Sequence, residues 1–250
     1  SFSLSNLADG TYTVTSTFSA AWATSPRSGI SKSYSFTFQF KIDSTAPTMN
    51  NVSTSSTGKY TNSSTYVSAY DSMSGVECIY MKTPGSSSYG NMGTSTTVSS
   101  SGTNGLYSFY AKDKAGNISR TYFLYLDTVK PTGKIKNSNG TEITGSYTNQ
   151  TFSYSATDSG SGISYLQYRK PGSSSWLTYT SGTSISASAT SGTYQFRAVD
   201  NAWNISATKS ITIDSSRPTM TLYSGDVSVS NGFKSIANYI KATATDSESG

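Results

Sequence analysis

Apolar and polar positions alternate in short runs along most of this chain, and Gly, Pro, Asp, Asn and Ser punctuate the runs. In residues 105–113, Tyr107, Phe109 and Ala111 alternate with Ser108, Tyr110 and Lys112. That is the period-two pattern of a strand with one face in a core. Asp113-Lys-Ala-Gly-Asn117 predicts a turn, and Ile118, Tyr122, Leu124 and Leu126 predict the inward face of a returning strand. The same pattern predicts strands at 49–54, at 65–71 with Val67 and Ala69 inward, at 76–83 with Ile79 and Met81 inward, and at 94–99. Pro84-Gly-Ser-Ser predicts a sharp turn between the last two.

The pattern repeats. Gly105-Leu-Tyr-Ser-Phe-Tyr-Ala-Lys-Asp-Lys-Ala-Gly-Asn-Ile-Ser119 returns 87 positions on as Gly192-Thr-Tyr-Gln-Phe-Arg-Ala-Val-Asp-Asn-Ala-Trp-Asn-Ile-Ser206. Tyr60-Thr-Asn, Asp71-Ser-Met-Ser-Gly75 and Pro84-Gly-Ser-Ser-Ser recur at the same offset. A shorter copy, Gly10-Thr-Tyr-Thr-Val with Tyr12, Val14 and Phe18 on one face, precedes a return strand bearing Phe36, Phe38, Phe40 and Ile42. Fixed-period echoes mark a repeat protein in which each copy is one folding unit. About seven short strands per copy, with turns between them, predict all-β architecture: tandem immunoglobulin-like β-sandwiches. The expected division is 1–45, the closing hairpin of one unit; 46–129 and 130–216, two complete units; and 217–250, the opening strands of another. The chain is expected to continue in both directions. Gly precedes Tyr12, Tyr107 and Tyr194 by two residues, which places a tyrosine corner at the start of the sixth strand. Pro47, Pro131 and Pro218 follow short linkers and restrict the backbone there, which predicts an extended series with limited bending.

The combination of Asp-x-x-Ser-Gly-[Ile/Val], Gly-x-Tyr-x-Phe, Asp-x-Ala-Gly-Asn-x-Ser and a closing Asp-[Ser/Thr]-x-x-Pro-Thr resembles the bacterial immunoglobulin-like (Big-type) tandem repeats of large cell-surface proteins and adhesins. The resemblance covers all four segments and is strongest over 60–131 and 147–218. It implies a stalk or spacer, sometimes carrying ligand-binding units at a tip. Two places depart from it: Trp203 stands where the motif has glycine, and the first hairpin lacks the turn motif.

Composition narrows the chemistry. The formal net charge is +5, but the 18 basic residues form no dense run. Nucleic-acid binding normally needs a basic stripe or a recognisable motif, so it is not expected. No apolar run approaches the roughly 20 residues that span a bilayer. The chain has no histidine, which removes the usual general base and the Ser-His-Asp and Cys-His arrangements together. A single cysteine, Cys78, permits no intrachain disulfide and has no activating partner in view. A Ser/Thr-rich β-repeat without disulfides fits a bacterial surface protein. Most carboxylates fall at repeat-equivalent turns, so no enzyme is expected.

Two sets of residues are candidates for function. The second-to-third and sixth-to-seventh strand loops of such a sandwich share one pole, where the linker from the preceding unit also arrives. Asp71 and Asp113 with Asn117 are expected to gather near Asp43, and Asp158 and Asp200 with Asn204 near Asp127. Clustered oxygens of this kind bind calcium; alternatively each Asp or Asn caps its own turn. The loop aromatics Trp22, Trp203, Trp176 and Tyr89 are the second set. Exposed aromatics stack on sugars or cover a neighbouring domain. Trp203 is expected to pack between units, Trp22 stays open to either role, and Trp176 and Tyr89, at equivalent positions, share a packing role. The function expected is a non-catalytic extracellular stalk of an adhesin or fibre. Alternatives are a carbohydrate- or host-ligand-binding module, accessory repeats of a secreted polysaccharide-degrading enzyme, and self-assembly.

Overall fold

A computed structural model describes residues 7–21, 31–224, 227–229 and 240–246. Trp22 lies outside the described residues. The chain divides into two compact units, Ser1–Leu126 and Asp127–Gly250.

The first unit opens with a long hairpin, β1 (Gly10–Ala21) and β2 (Ser31–Ile42), paired in unbroken antiparallel register from Gly10 opposite Ile42 to Ala21 opposite Ser31. Tyr12 stacks on Phe40 and Phe18 on Tyr34 along one face, while Thr15–Thr37 and Ser19–Ser33 hydroxyl pairs line the other. Phe18, Tyr34, Phe36 and Phe38 are exposed.

A sandwich follows, built from β3 (Thr48–Asn50), β4 (Lys59–Thr61), β5 (Thr65–Tyr70), β6 (Val76–Lys82), β7 (Gly90–Asn91), β8 (Ser95–Val98), β9 (Gly105–Asp113) and β10 (Tyr122–Leu126). One sheet has the order β3-β5-β8 and the other β4-β10-β9-β6-β7, with β4 parallel to β10. Met49, Val67 and Val98 from the first sheet meet Ile79, Tyr107, Phe109, Ala111, Leu124 and Leu126 from the second in one core. Each such side chain contributes roughly 1.5–3 kcal/mol by leaving water. Tyr107 donates its hydroxyl to the Thr103 carbonyl at 2.9 Å, the tyrosine corner, and Tyr12 does the same to Ala8 at 2.8 Å.

Ile118 corrects the sequence expectation. It is 59% exposed, whereas Tyr122, Leu124 and Leu126 are buried. Ile118 pairs with the outward residue Lys112, but Tyr122 pairs with the inward residue Phe109. The register shifts between them, so parity along the strand is lost. Ser119 takes the inward place instead, and its hydroxyl accepts from the Ala111 amide at 2.9 Å. A second bulge lies between Val76 and Cys78; beyond it Cys78 pairs with the outward residue Lys112 and Ile79 with the inward residue Ala111, and both are buried.

The second unit holds β11 (Thr132–Asn137), β12 (Tyr147–Thr148), β13 (Phe152–Thr157), β14 (Ile163–Arg169), β15 (Leu177–Tyr179), β16 (Gly192–Asp200) and β17 (Lys209–Ile213). The pair β11-β13 covers the sheet β12-β17-β16-β14-β15, which again has a parallel edge and a bulge between Ile163 and Tyr165. Three further strands, β18 (Thr219–Ser224), β19 (Val227–Val229) and β20 (Ile240–Thr245), form a sheet in the order β19-β18-β20.

The two cores fill the same space differently. Met49 opposes Ala69 beside the small Val67; in the second unit Gly133 opposes Ala156 beside the large Tyr154. A Cβ on Gly133 would lie 2.0 Å from the Tyr154 hydroxyl. The glycine is therefore required by the tyrosine, and side-chain volume moves from one strand to its neighbour.

Candidate functional site

The pole of each sandwich is built from the turn after β5 or β13 and the turn after β9 or β16. In the first unit, Asp71 Oδ1 accepts from the Met73 and Gly75 amides at 3.1 and 2.8 Å. Gly75 has φ 76°, a left-handed conformation that a side chain would strain. Asp113, fully buried, accepts from the Asn117 amide and from Asn117 Nδ2, both at 2.8 Å. The linker is then tied to both turns. Asp43 Oδ2 accepts from the Ser74 amide at 2.9 Å, and the Asp43 carbonyl accepts from Asn117 Nδ2 at 2.9 Å.

The second unit repeats these bonds. Asp158 Oδ2 accepts from Gly160 and Gly162, and Asp200 accepts from the Asn204 amide and Nδ2. Asp127 Oδ2 accepts from the Ser161 amide at 2.6 Å, and its carbonyl from Asn204 Nδ2 at 2.8 Å. Asp43, Asp71 and Asp113 each offer an oxygen within 4.8 Å of the others, and so do Asp127, Asp158 and Asp200. One carboxylate oxygen in each triad, Asp71 Oδ2 and Asp158 Oδ1, is buried without a hydrogen-bond partner. The donor set is all oxygen, which suits a hard divalent cation. The turn-capping bonds are present at the same time.

Sequence reasoning missed Asp9. Its carboxylate accepts from Thr45 Oγ1, Ser44 Oγ and the Ser44 amide at 2.6, 2.7 and 2.8 Å, tying the first linker back to the hairpin. The Thr45 and Ser44 hydroxyls hold its pKa below the ordinary carboxylate value. No motif marks it, because the bonds span 35 and 36 residues. The third linker acid, Asp214, shares the Ser216 hydroxyl with Asp246.

The loop aromatics separate. Trp203 is 68% exposed at φ 71°, with its ring edge-on to Tyr165 at 6.3 Å. Tyr89 and Trp176 are half-buried on the outer face of their sheets. Tyr89 meets Tyr110 edge-on at 4.9 Å, and Tyr110 stacks on Tyr80 at 4.7 Å. Trp176 instead meets the guanidinium groups of Arg169 and Arg197, at 4.6 and 4.2 Å from its ring centre.

Neither a protein-family model nor a curated protein matches the chain. Among solved structures, fibronectin(III)-like modules of Clostridium thermocellum CbhA are similar at 16% identity and a TM-score of 0.36, over 66% of this chain and 92% of that one. The class stands on the two-layer sheet order and the shared core: this is an all-β protein of immunoglobulin-like β-sandwiches.

Proposed function

We propose that this chain is a non-catalytic spacer section of a bacterial surface protein, an adhesin or fibre, built from Big-type repeats and working outside the cell. In this proposal 46–129 and 130–216 are complete units, 1–45 closes another and 217–250 opens one more. The observation that carries it is the recurrence of one tie: a linker aspartate bonded by carboxylate and carbonyl to both turns of the next sandwich, at Asp43 and again at Asp127. Such a tie resists peeling of the first strand, which is what a spacer under tension needs. Pulling the full chain by its ends tests this. Two separate unfolding events are expected, each releasing about 80 residues, or roughly 280 Å of extended chain. Featureless lengthening at low force contradicts the reading.

The same poles are proposed to take calcium. The supporting observation is the orphan oxygen at Asp71 and at Asp158 inside three clustered carboxylates. Calcium would offset the mutual repulsion of the three carboxylates and stabilise the folded state by mass action. A melting temperature that rises with calcium, and no longer does so in Asp71→Asn with Asp158→Asn, is expected. An unchanged melt in millimolar calcium leaves turn capping as the whole role of these acids.

A further inference from the structure

The outer face of the second sandwich carries charge that the spacer role does not use. Gln167 opposes Arg197 and Arg169 opposes Gln195 across β14 and β16. Residues two apart on a strand share a face, so these four side chains form one square on the side away from Leu166, Phe196 and Ala198. Arg197 Nε donates to Gln167 Oε1 at 2.8 Å, and Arg169 Nη2 donates to Gln195 Oε1. Trp176 caps the square, with both guanidinium groups against its ring.

Two like charges share one indole here. Among the described residues the ion pairs are Lys112–Glu77 and Lys134–Glu142, and neither involves these arginines. Arg169 Nε is buried without a hydrogen-bond partner. The glutamines fix the guanidinium planes through neutral bonds, which orients the cations without neutralising them. At the equivalent places the first unit has Tyr80, Tyr110, Tyr89 and Lys82, an aromatic cluster with one ammonium group and no fork. The face continues along β14 to Tyr165, four residues or about 13 Å from Arg169, where Trp203 leans edge-on.

We propose that this face of the second unit binds an acidic polysaccharide through its uronate carboxylates. A guanidinium fork matches the two oxygens of a planar carboxylate, where an ammonium does not. The row from Arg169 to Tyr165 has room for more than one sugar ring, and Tyr165 and Trp203 offer aromatic surface to the ring faces between the charges. A polymer with a carboxylate on each sugar fits this alternation of cation and ring.

The test is binding of the full chain to polygalacturonate, by affinity electrophoresis and calorimetry at low and at physiological salt. Fully methyl-esterified polygalacturonate serves as the uncharged control. Retention by the acid and not by the ester is expected, with a loss of tenfold or more in Arg169→Gln and in Arg197→Gln and no change in Lys82→Gln. Arg197→Lys keeps the charge and most of the packing while removing the fork, so it answers the question if the glutamine variants do not fold. It too is expected to lose most of the binding. Equal retention of the ester, equal retention of Arg197→Lys, equal competition by inorganic phosphate, or no retention of the acid at low salt would each overturn the assignment.

Discussion

The two sandwiches share their backbone plan and disagree about their side chains. Phe109 and Phe196, Leu124 and Ile211, Asp113 and Asp200, and Asn117 and Asn204 hold equivalent places, and the bonds that tie Asp43 and Asp127 to their turns recur. Yet Val67 becomes Tyr154, Met49 becomes Gly133, Tyr110 becomes Arg197 and Gly116 becomes Trp203. The pole is held by bonds between side chains and backbone amides, whose positions the turns dictate. Those residues cannot be exchanged singly. Core volume is a sum over neighbours, so two strands trade it freely. The outer face answers only to what lies outside the unit.

Breaking the shared part has the largest effect. Removing the buried carboxylate in Asp113→Ala or Asp200→Ala strands the Asn amide and Nδ2 donors it serves. Each change is expected to destabilise its own unit by about 3 kcal/mol, and equally in the two, as read by hydrogen exchange of peptides from each core. Unequal losses break the likeness. The traded volume comes next. Gly133→Ala forces Tyr154 from its place and costs about 1–3 kcal/mol. Gly133→Met with Tyr154→Val transplants the first unit's pair and recovers most of it. A double-mutant cycle in urea measures this coupling, and strict additivity would show that the two positions are independent.

A smaller effect separates the turns. Trp203 sits at φ 71° where the first unit has Gly116 at φ 101°. Trp203→Gly relieves a conformation that costs a non-glycine residue roughly 1 kcal/mol. The second unit is therefore expected to melt a few degrees higher, less what the Tyr165 contact contributes. The smallest difference is one of pH. Burial raises the phenol pKa of Tyr154, Tyr179 and Tyr194 in the second unit, and of Tyr107 and Tyr110 in the first. In the unfolded chain these groups ionise near pH 10. Above that the folded state keeps protons the unfolded state has released, so stability is full below pH 10 and falls as pH rises. Urea midpoints between pH 9 and 11 should fall, and more shallowly in Tyr154→Phe.

Alternation in the sequence placed Tyr107, Phe109, Ala111, Tyr122, Leu124 and Leu126 inward, and all six are buried. It fails at Ile118, where the pairing register shifts. A bulge is a property of two paired strands, and one strand's pattern does not contain it. The exchange between Met49 and Gly133 was illegible because alternation names a face but not the volume available there. Trp203 could be flagged, since it interrupts a glycine position; its positive φ is what that interruption means. For the poles, the spacing of Asp71, Asp113 and Asn117 implied proximity to Asp43. The orphan oxygens and the Asp9 tie needed coordinates. Tyr89 and Trp176 were matched by offset, but their different partners, Tyr110 and Arg197, come from the neighbouring strand.

The burial of Cys78 has a practical consequence. Cys78 pairs with the outward residue Lys112, yet the chain's one thiol is 4% exposed, with Sγ donating to the Ile79 carbonyl at 3.1 Å. Alkylating reagents reach that sulfur only when the cover over it opens, and the second sandwich has no thiol to confuse the signal. The rate of Cys78 labelling is thus a built-in clock for movements on the outer face of one unit in a chain that holds two.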